Sequence, residues 1–214
     1  PQPGSEANSG AGEDWTLPRA RGTLTFWVFN LGLSLFSLQV TALTFHIVSI
    51  FKTGGLTRAD AVSVFLPASA ISVALNLGGG LASDRPFIRN RLKWYLIVLL
   101  GGIALSSAGA LTPMLRTGAG RWMIIAGHGV AGGFFGLLTA IVWPRYFGPR
   151  HLGAISGYNV SFMVFASAVG PPLFGATQNL LGGYNVALGG AIAVVAILAP
   201  LALWADKPSA APGS

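Results

Sequence analysis

The chain has 214 residues, 52% of them hydrophobic and only 9% charged, against about 25% charged in an average soluble domain. So little charge cannot clothe a water-facing surface, whereas the length accommodates several membrane spans of roughly 20 apolar residues each. The net charge of +7 would suggest a nucleic-acid partner in a soluble protein, but here the bases sit in short clusters between apolar runs and read as membrane topology. The absence of cysteine excludes disulfide and thiolate chemistry.

From the N-terminus, Pro1 to Asp14 is a Pro/Gly/Ser/Glu stretch with neither a basic nor an apolar signal region. Residues 1–20 therefore read as a disordered cytoplasmic linker. Six apolar segments follow, at about 24–51, 59–83, 94–115, 122–143, 152–177 and 183–204. Together they make residues 21–205 one six-helix transmembrane domain, an all-α membrane fold, with residues 206–214 as a cytoplasmic tail. Placing the N-terminus inside puts nine of the 13 Lys and Arg on the inner side and only Lys52, Arg58, Arg116 and Arg121 outside. Both termini are then cytoplasmic. Trp27, Trp94, Trp122, Trp143 and Trp204 fall near segment ends, as interfacial anchors should.

Polar residues inside the spans mark faces that meet something other than lipid. In the first span Asn30, Ser34, Ser37, Thr41 and Thr44 form one helical stripe, with Gln39 and His46 on the opposite side. Ser69, Ser72, Asn76, Gly79 and Ser83 share a face of the second span; His128, Gly132 and Thr139 share one in the fourth; Ser156, Asn159, Ala166 and Gly170 share one in the fifth. The third and sixth spans are nearly bare. The order polar, polar, bare, repeated, reads as two groups of three helices, each with two inner members and one outer member, as in many secondary transporters. Gly129–Gly133, Gly132–Gly136 and Gly153–Gly157 are small-xxx-small pairs that let backbones approach. Pro67, Pro171, Pro172 and Pro200 are expected to kink their helices.

The connection GGGLASDRPFIRNRLK, Gly78 to Lys93, resembles the loop signature G-x-x-x-D-R-x-G-x-R-R of the major facilitator superfamily. Gly80, Asp84, Arg85 and Arg89 match; Phe87 replaces the second glycine, and Asn90 the last base, with Arg91 one place later. WPRYFGPRHLGAISG, Trp143 to Gly157, resembles the connection before helix eleven in bacterial members. TALTFHIVSIF, Thr41 to Phe51, resembles the end of helix seven in a subgroup related to monocarboxylate and oxalate–formate transporters. The resemblance implies helices seven to twelve of a twelve-helix secondary transporter, in a bacterial inner membrane, with a missing N-terminal half or a second copy as partner. It implies a gating clamp at Gly80, Asp84, Arg85 and Arg89, and a pathway lined by helices seven, eight, ten and eleven. Candidate pathway residues are Asn30, Ser34, Ser37, Gln39, Thr41, His46, Asn76, His128 and Asn159. The implied solute is a small organic anion, with no cofactor and no metal site. Monocarboxylate-type relatives carry an acid–base pair inside helix eight; none stands between Ala59 and Gly80. An intramembrane protease is the alternative from another class, but Gly153-Ala-Ile-Ser156-Gly157 has the wrong spacing and Ser156 falls at the inner end of its span, away from His128.

Overall fold

The computed structural model describes residues 15–83, 85 and 91–209. The expected linker before Trp15, the tail beyond Ser209, and Asp84 and Arg89 of the loop motif lie outside the described residues.

The described residues form nine helices and no strand. They are α1 (Leu17–Arg21), α2 (Leu24–Thr53), α3 (Arg58–Val62), α4 (Phe65–Ser83), α5 (Lys93–Ala110), α6 (Thr112–Arg116), α7 (Ala119–Phe147), α8 (Leu152–Leu181) and α9 (Asn185–Ala202). Among them six are long and apolar enough to cross a membrane, counting α3 and α4 as one span. The fold is an all-α, multi-pass membrane fold.

Local chemistry sets the boundaries. Thr57 and Asp60 form a reciprocal capping box that starts α3. That span is interrupted at Ser63–Val64, because Pro67 has no N–H for the Ser63 carbonyl and its ring crowds it. Pro113 acts likewise on the third span, where Leu111 is extended (ψ 135°) and separates α5 from the one-turn α6. The apolar run to residue 115 is thus two helices. By contrast, Pro144 is carried inside α7 and Pro171–Pro172 inside α8. Gly148 and Gly182, at φ 81° and 70°, end these two helices in a conformation that a side chain would strain.

Packing centres on α7, which touches α5 along one side and α4 along another; α2 pairs with α8, and α9 lies against α5 and α2. Glycine makes both α7 contacts close. A Cβ at Gly127 would stand 2.6 Å from the Gly102 carbonyl oxygen on α5, and one at Gly133 would stand 2.8 Å from the Ser72 carbonyl oxygen on α4. Gly170 does the same for α8, 2.5 Å from the Leu38 carbonyl oxygen on α2. Two apolar clusters divide the bundle. The one at the end of the bundle where α2 begins, termed the inner end whichever side of a membrane it faces, gathers Phe26, Phe29, Leu96, Trp143, Tyr146 and Phe147; the one at the opposite, outer end gathers Ile47, Ile50, Phe51, Ile124, Phe174 and Tyr184.

Three expectations are corrected here. First, the linker does not extend to residue 20. Trp15 is buried edge-on against Phe147 (5.8 Å), its backbone N–H donates to the Phe147 carbonyl at 2.9 Å, and α1 follows with Ala20 fully buried. Second, Trp143 is no interfacial anchor. Because α7 runs one turn beyond it to Phe147, its ring lies in the inner core, 1% exposed, against Phe26 (5.4 Å) and Phe147 (5.9 Å). Trp94, Trp122 and Trp204 are exposed. Third, the bare α5 is not an outer member within this chain. Its Gly102 and Gly109 let α7 close on it, and it is packed between α7 and α9. The flanks are instead α4 and α8, whose buried residues are only Ala68 and Ser83 in α4, and Ile155, Asn159, Gly170 and Phe174 in α8.

Candidate functional site

The polar residues of the spans fall into three settings. The first is the seam between α2 and α8. Asn159 Nδ2 donates to Asn30 Oδ1 at 2.8 Å, with both side chains at or below 1% exposure. Asn30 Nδ2 and, one turn on, Ser34 Oγ are buried without a hydrogen-bond partner among the described residues. Further along, the Thr41 hydroxyl donates to the Ser37 carbonyl and meets the Ser167 hydroxyl at 2.7 Å. At the outer end His46 Nε2 donates to the Pro171 carbonyl at 3.0 Å. That requires the proton on Nε2, so in the neutral ring Nδ1 accepts from the Tyr184 hydroxyl at 3.2 Å. His46 therefore ties α2 to α8 and to the start of α9. Asn30 thus meets Asn159 and Thr41 meets Ser167, as parts of a helix–helix joint.

The second setting is the cleft between α4 and α7. Ala68, Ser69, Ser72, Val73, His128 and Gly132 line a cavity of about 260 Å³. Phe36 and Phe65 lie against the His128 ring at 6.2 and 6.4 Å, and His128 Nδ1 is buried without a partner among the described residues. One turn beyond, Asn76 Nδ2 donates to the Gly133 carbonyl at 3.2 Å. Gly132 lines the cavity without a side chain, and a Cβ there would stand 3.0 Å from Ser72 Oγ.

Gln39 belongs to neither. It is 1% exposed and turned toward α5, where its Nε2 donates to Ser106 Oγ at 2.9 Å. Ser156, considered as a nucleophile, donates its hydroxyl to the Leu152 carbonyl of its own helix at 2.7 Å.

The third setting is the inner end of α4, where the loop motif begins. Gly80 accepts a bond from the Ser83 hydroxyl at 2.7 Å, and Arg85 is exposed. Arg145 Nη1 donates to the Ser83 carbonyl at 2.8 Å, placing a cation on the unpaired carbonyls of a helix C-terminus. The Tyr95 hydroxyl reaches the Gly79 carbonyl at 3.1 Å. Arg145 and Tyr95 count in the sequence only as a topology charge and an aromatic near a span end; nothing in their spacing marks them as α4 contacts. At the opposite end of the same span Arg121 contacts Asp60 (3.5 Å) and the Ser63 hydroxyl (2.9 Å).

Two rows of small residues lie uncovered on the flanking helices. On α4 they are Ala70, Ala74 and Gly78; on α8 they are Gly153, Gly157 and Ser161, all exposed. A Cβ added at Gly78, Gly153 or Gly157 would meet no atom within 4 Å. The Gly153–Gly157 pair thus packs on nothing among the described residues of this chain. The α4 row was readable as small residues at i, i+4 and i+8, but its exposure is not a property of the pattern. No family model matches this sequence, and no curated protein matches it.

Proposed function

We propose that this chain is one six-helix body of a secondary transporter of the major facilitator type, moving a small solute by alternating access. The observation that supports it is the pair of uncovered small-residue rows on α4 and α8. Small-xxx-small rows let another helix backbone come close, and here they occupy the two flanking helices rather than the middle of the bundle. A second six-helix body seated on both flanks would enclose the α4–α7 cavity and the polar groups beside it. The partial loop motif at Gly80 and Arg85 agrees with that reading. The solute class follows from the resemblance, a small organic anion, and the setting would be the bacterial inner membrane with both termini inside.

The 214 residues contain no cysteine, so a reporter here is unique once any cysteine elsewhere in the gene product is replaced by serine. Ala74→Cys and Ser161→Cys are introduced into the complete gene product in membrane vesicles. Water-soluble maleimide should label both, and a panel of candidate anions should change the ratio of outside to inside labelling. Labelling by lipid-soluble maleimide alone would mean that the rows face lipid, and the transporter reading would fail. A second reading keeps the same rows but seats a second copy of this chain on them; spontaneous disulfide-linked homodimers of Ala74→Cys would favour it.

A further inference from the structure

We infer that the α4–α7 cavity is a proton site, with His128 as the group that takes up and releases the proton. The inference rests on the transporter reading and names what that site binds. His46 and His128 are the histidines of the spans, and histidine is the side chain whose ordinary titration falls nearest neutral pH. The two are used differently. Both ring nitrogens of His46 are engaged, one on the Pro171 carbonyl and one on the Tyr184 hydroxyl. His128 instead lines a cavity, and its Nδ1 is committed to no partner among the described residues.

The surroundings leave His128 as the group that can change charge there. From α4 it faces the hydroxyl-bearing Ser69 and Ser72, and the sequence from Phe65 to Ser83 carries no ionisable side chain. From α2 it meets Phe36, and that helix holds no charged residue between Leu24 and Phe51. On α5, which lies along another side of α7, the stretch Trp94–Ala110 has Tyr95 at its inner end and no charged residue. On α7 itself the nearest charge is Arg121, two turns toward the outer end, where it is engaged by Asp60 and Ser63. Among the described residues no fixed counter-charge stands against the ring, so protonation would place one net positive charge in the cavity. The two serine hydroxyls supply hydrogen bonds to water or to a solute bound beside it. The step is simple in its balance. A proton from water on one side adds to the ring nitrogen that lacks one, and leaves to water on the other side; only an N–H bond forms and breaks.

The charge can be read without knowing the solute. Ser72→Cys in the complete, otherwise cysteine-free protein is reacted with the anionic reagent sulfonatoethyl methanethiosulfonate and with the cationic trimethylammonium analogue. The ratio of the two rates cancels the thiolate fraction and reports local charge. The ratio should rise about tenfold between pH 8 and pH 5.5, as a unit charge within a cavity of this size demands even at partly aqueous screening. It should stay flat with His128→Gln and with His128→Asn, and at a remote Ser161→Cys reporter. A flat ratio in the parent would overturn the inference, as would an equal rise in both His128 variants. So would failure of either reagent to reach Cys at position 72, since the proton must enter from water. Each readout is independent of whether α4 and α8 alternate between sides, so this inference and the transporter reading fail separately.

Discussion

Gly127→Ala tests the packing account most directly. The added methyl would stand 2.6 Å from the Gly102 carbonyl oxygen and 3.0 Å from Ser106 Cα, and closer still to the Ser106 amide nitrogen. All three are backbone atoms of α5, so no side-chain rotation relieves the clash; α5 and α7 must part. Overpacking of this kind costs about 3 kcal/mol, offset by about 1 kcal/mol because alanine favours the helix over glycine. The net loss of about 2 kcal/mol corresponds to a fall in Tm of roughly 4–8 °C for a chain of this size. Thermal unfolding in detergent, followed by tryptophan fluorescence, reads it. Gly101→Ala, on the exposed side of α5, is the paired control, because a Cβ there meets nothing within 4 Å, and it should melt no lower than the parent. If Gly127→Ala melts with the parent, or if both variants fall together, the α5–α7 seam is not as close as described.

Four other outcomes follow from the same contacts. In a double-mutant cycle, Asn30→Ala and Asn159→Ala should couple by about 0.6–2 kcal/mol in thermal unfolding, the range for hydrogen bonds between membrane helices; strictly additive losses would deny the Asn159–Asn30 bond. Trp143→Ala should cost about 3–5 kcal/mol as a cavity in the inner core, whereas the exposed Trp122→Ala should stay within about 0.5 kcal/mol, and equal melting of the two would contradict the burial of Trp143. His46→Phe keeps a ring against Phe174 and Tyr184 but loses both hydrogen bonds, so amide exchange should quicken several-fold in the outer turns of α8 after Pro172; unchanged protection there would remove His46 as a tie. Arg145→Met removes the donor to the Ser83 carbonyl, a charge-assisted bond worth about 1.5–3 kcal/mol, and should raise exchange tenfold or more at residues 79–83 while leaving 58–64 alone.

The number, order and approximate ends of the spans were legible because each depends on a local property, roughly 20 apolar residues between turn signals. The interruptions at Ser63–Val64 and Leu111 were less so. Their cause, a proline, is local, but Pro144 and Pro171–Pro172 show that a proline inside a span does not always divide it; neighbouring contacts decide. Depth within the bundle was not legible from polarity. The nearly bare α5 is packed between α7 and α9 because glycine, not a polar group, permits the closest approach, whereas α4 and α8 carry polar residues and yet flank the bundle. The candidate residues show the same divide. Helical phase correctly puts Asn30, Ser37 and Thr41 on one stripe and Gln39 on another, but only the fold reveals that the stripe meets Asn159 and Ser167, and that Gln39 meets Ser106. Partners far apart in sequence, such as Arg145 for Ser83, leave no mark on local spacing.

The two flanking helices are fastened in opposite ways, and this bears on how such a body could move. α8 is held to α2 along its length, by Asn159 on Asn30, Ser167 on Thr41 and the Pro171 carbonyl on His46. The span containing α4 is held chiefly at its ends, by Arg121 at the outer end and by Arg145 and Tyr95 at the inner end, both arginines coming from α7. Between those ends the contact with α7 runs over Gly129, Gly132 and Gly133, with Asn76 as its side-chain hydrogen bond. Ile71 and Leu75 of α4 seat over Gly129 and Gly133, and Leu137 of α7 over Gly79, so the middle is held by close packing and one side-chain hydrogen bond rather than by charge. The break at Ser63–Val64 lets the outer end turn without bending α4 itself. On the proposed function, freeing one end while the other holds would open the His128 cavity toward one side at a time, and α8, pinned along its length, would move with α2 as one piece.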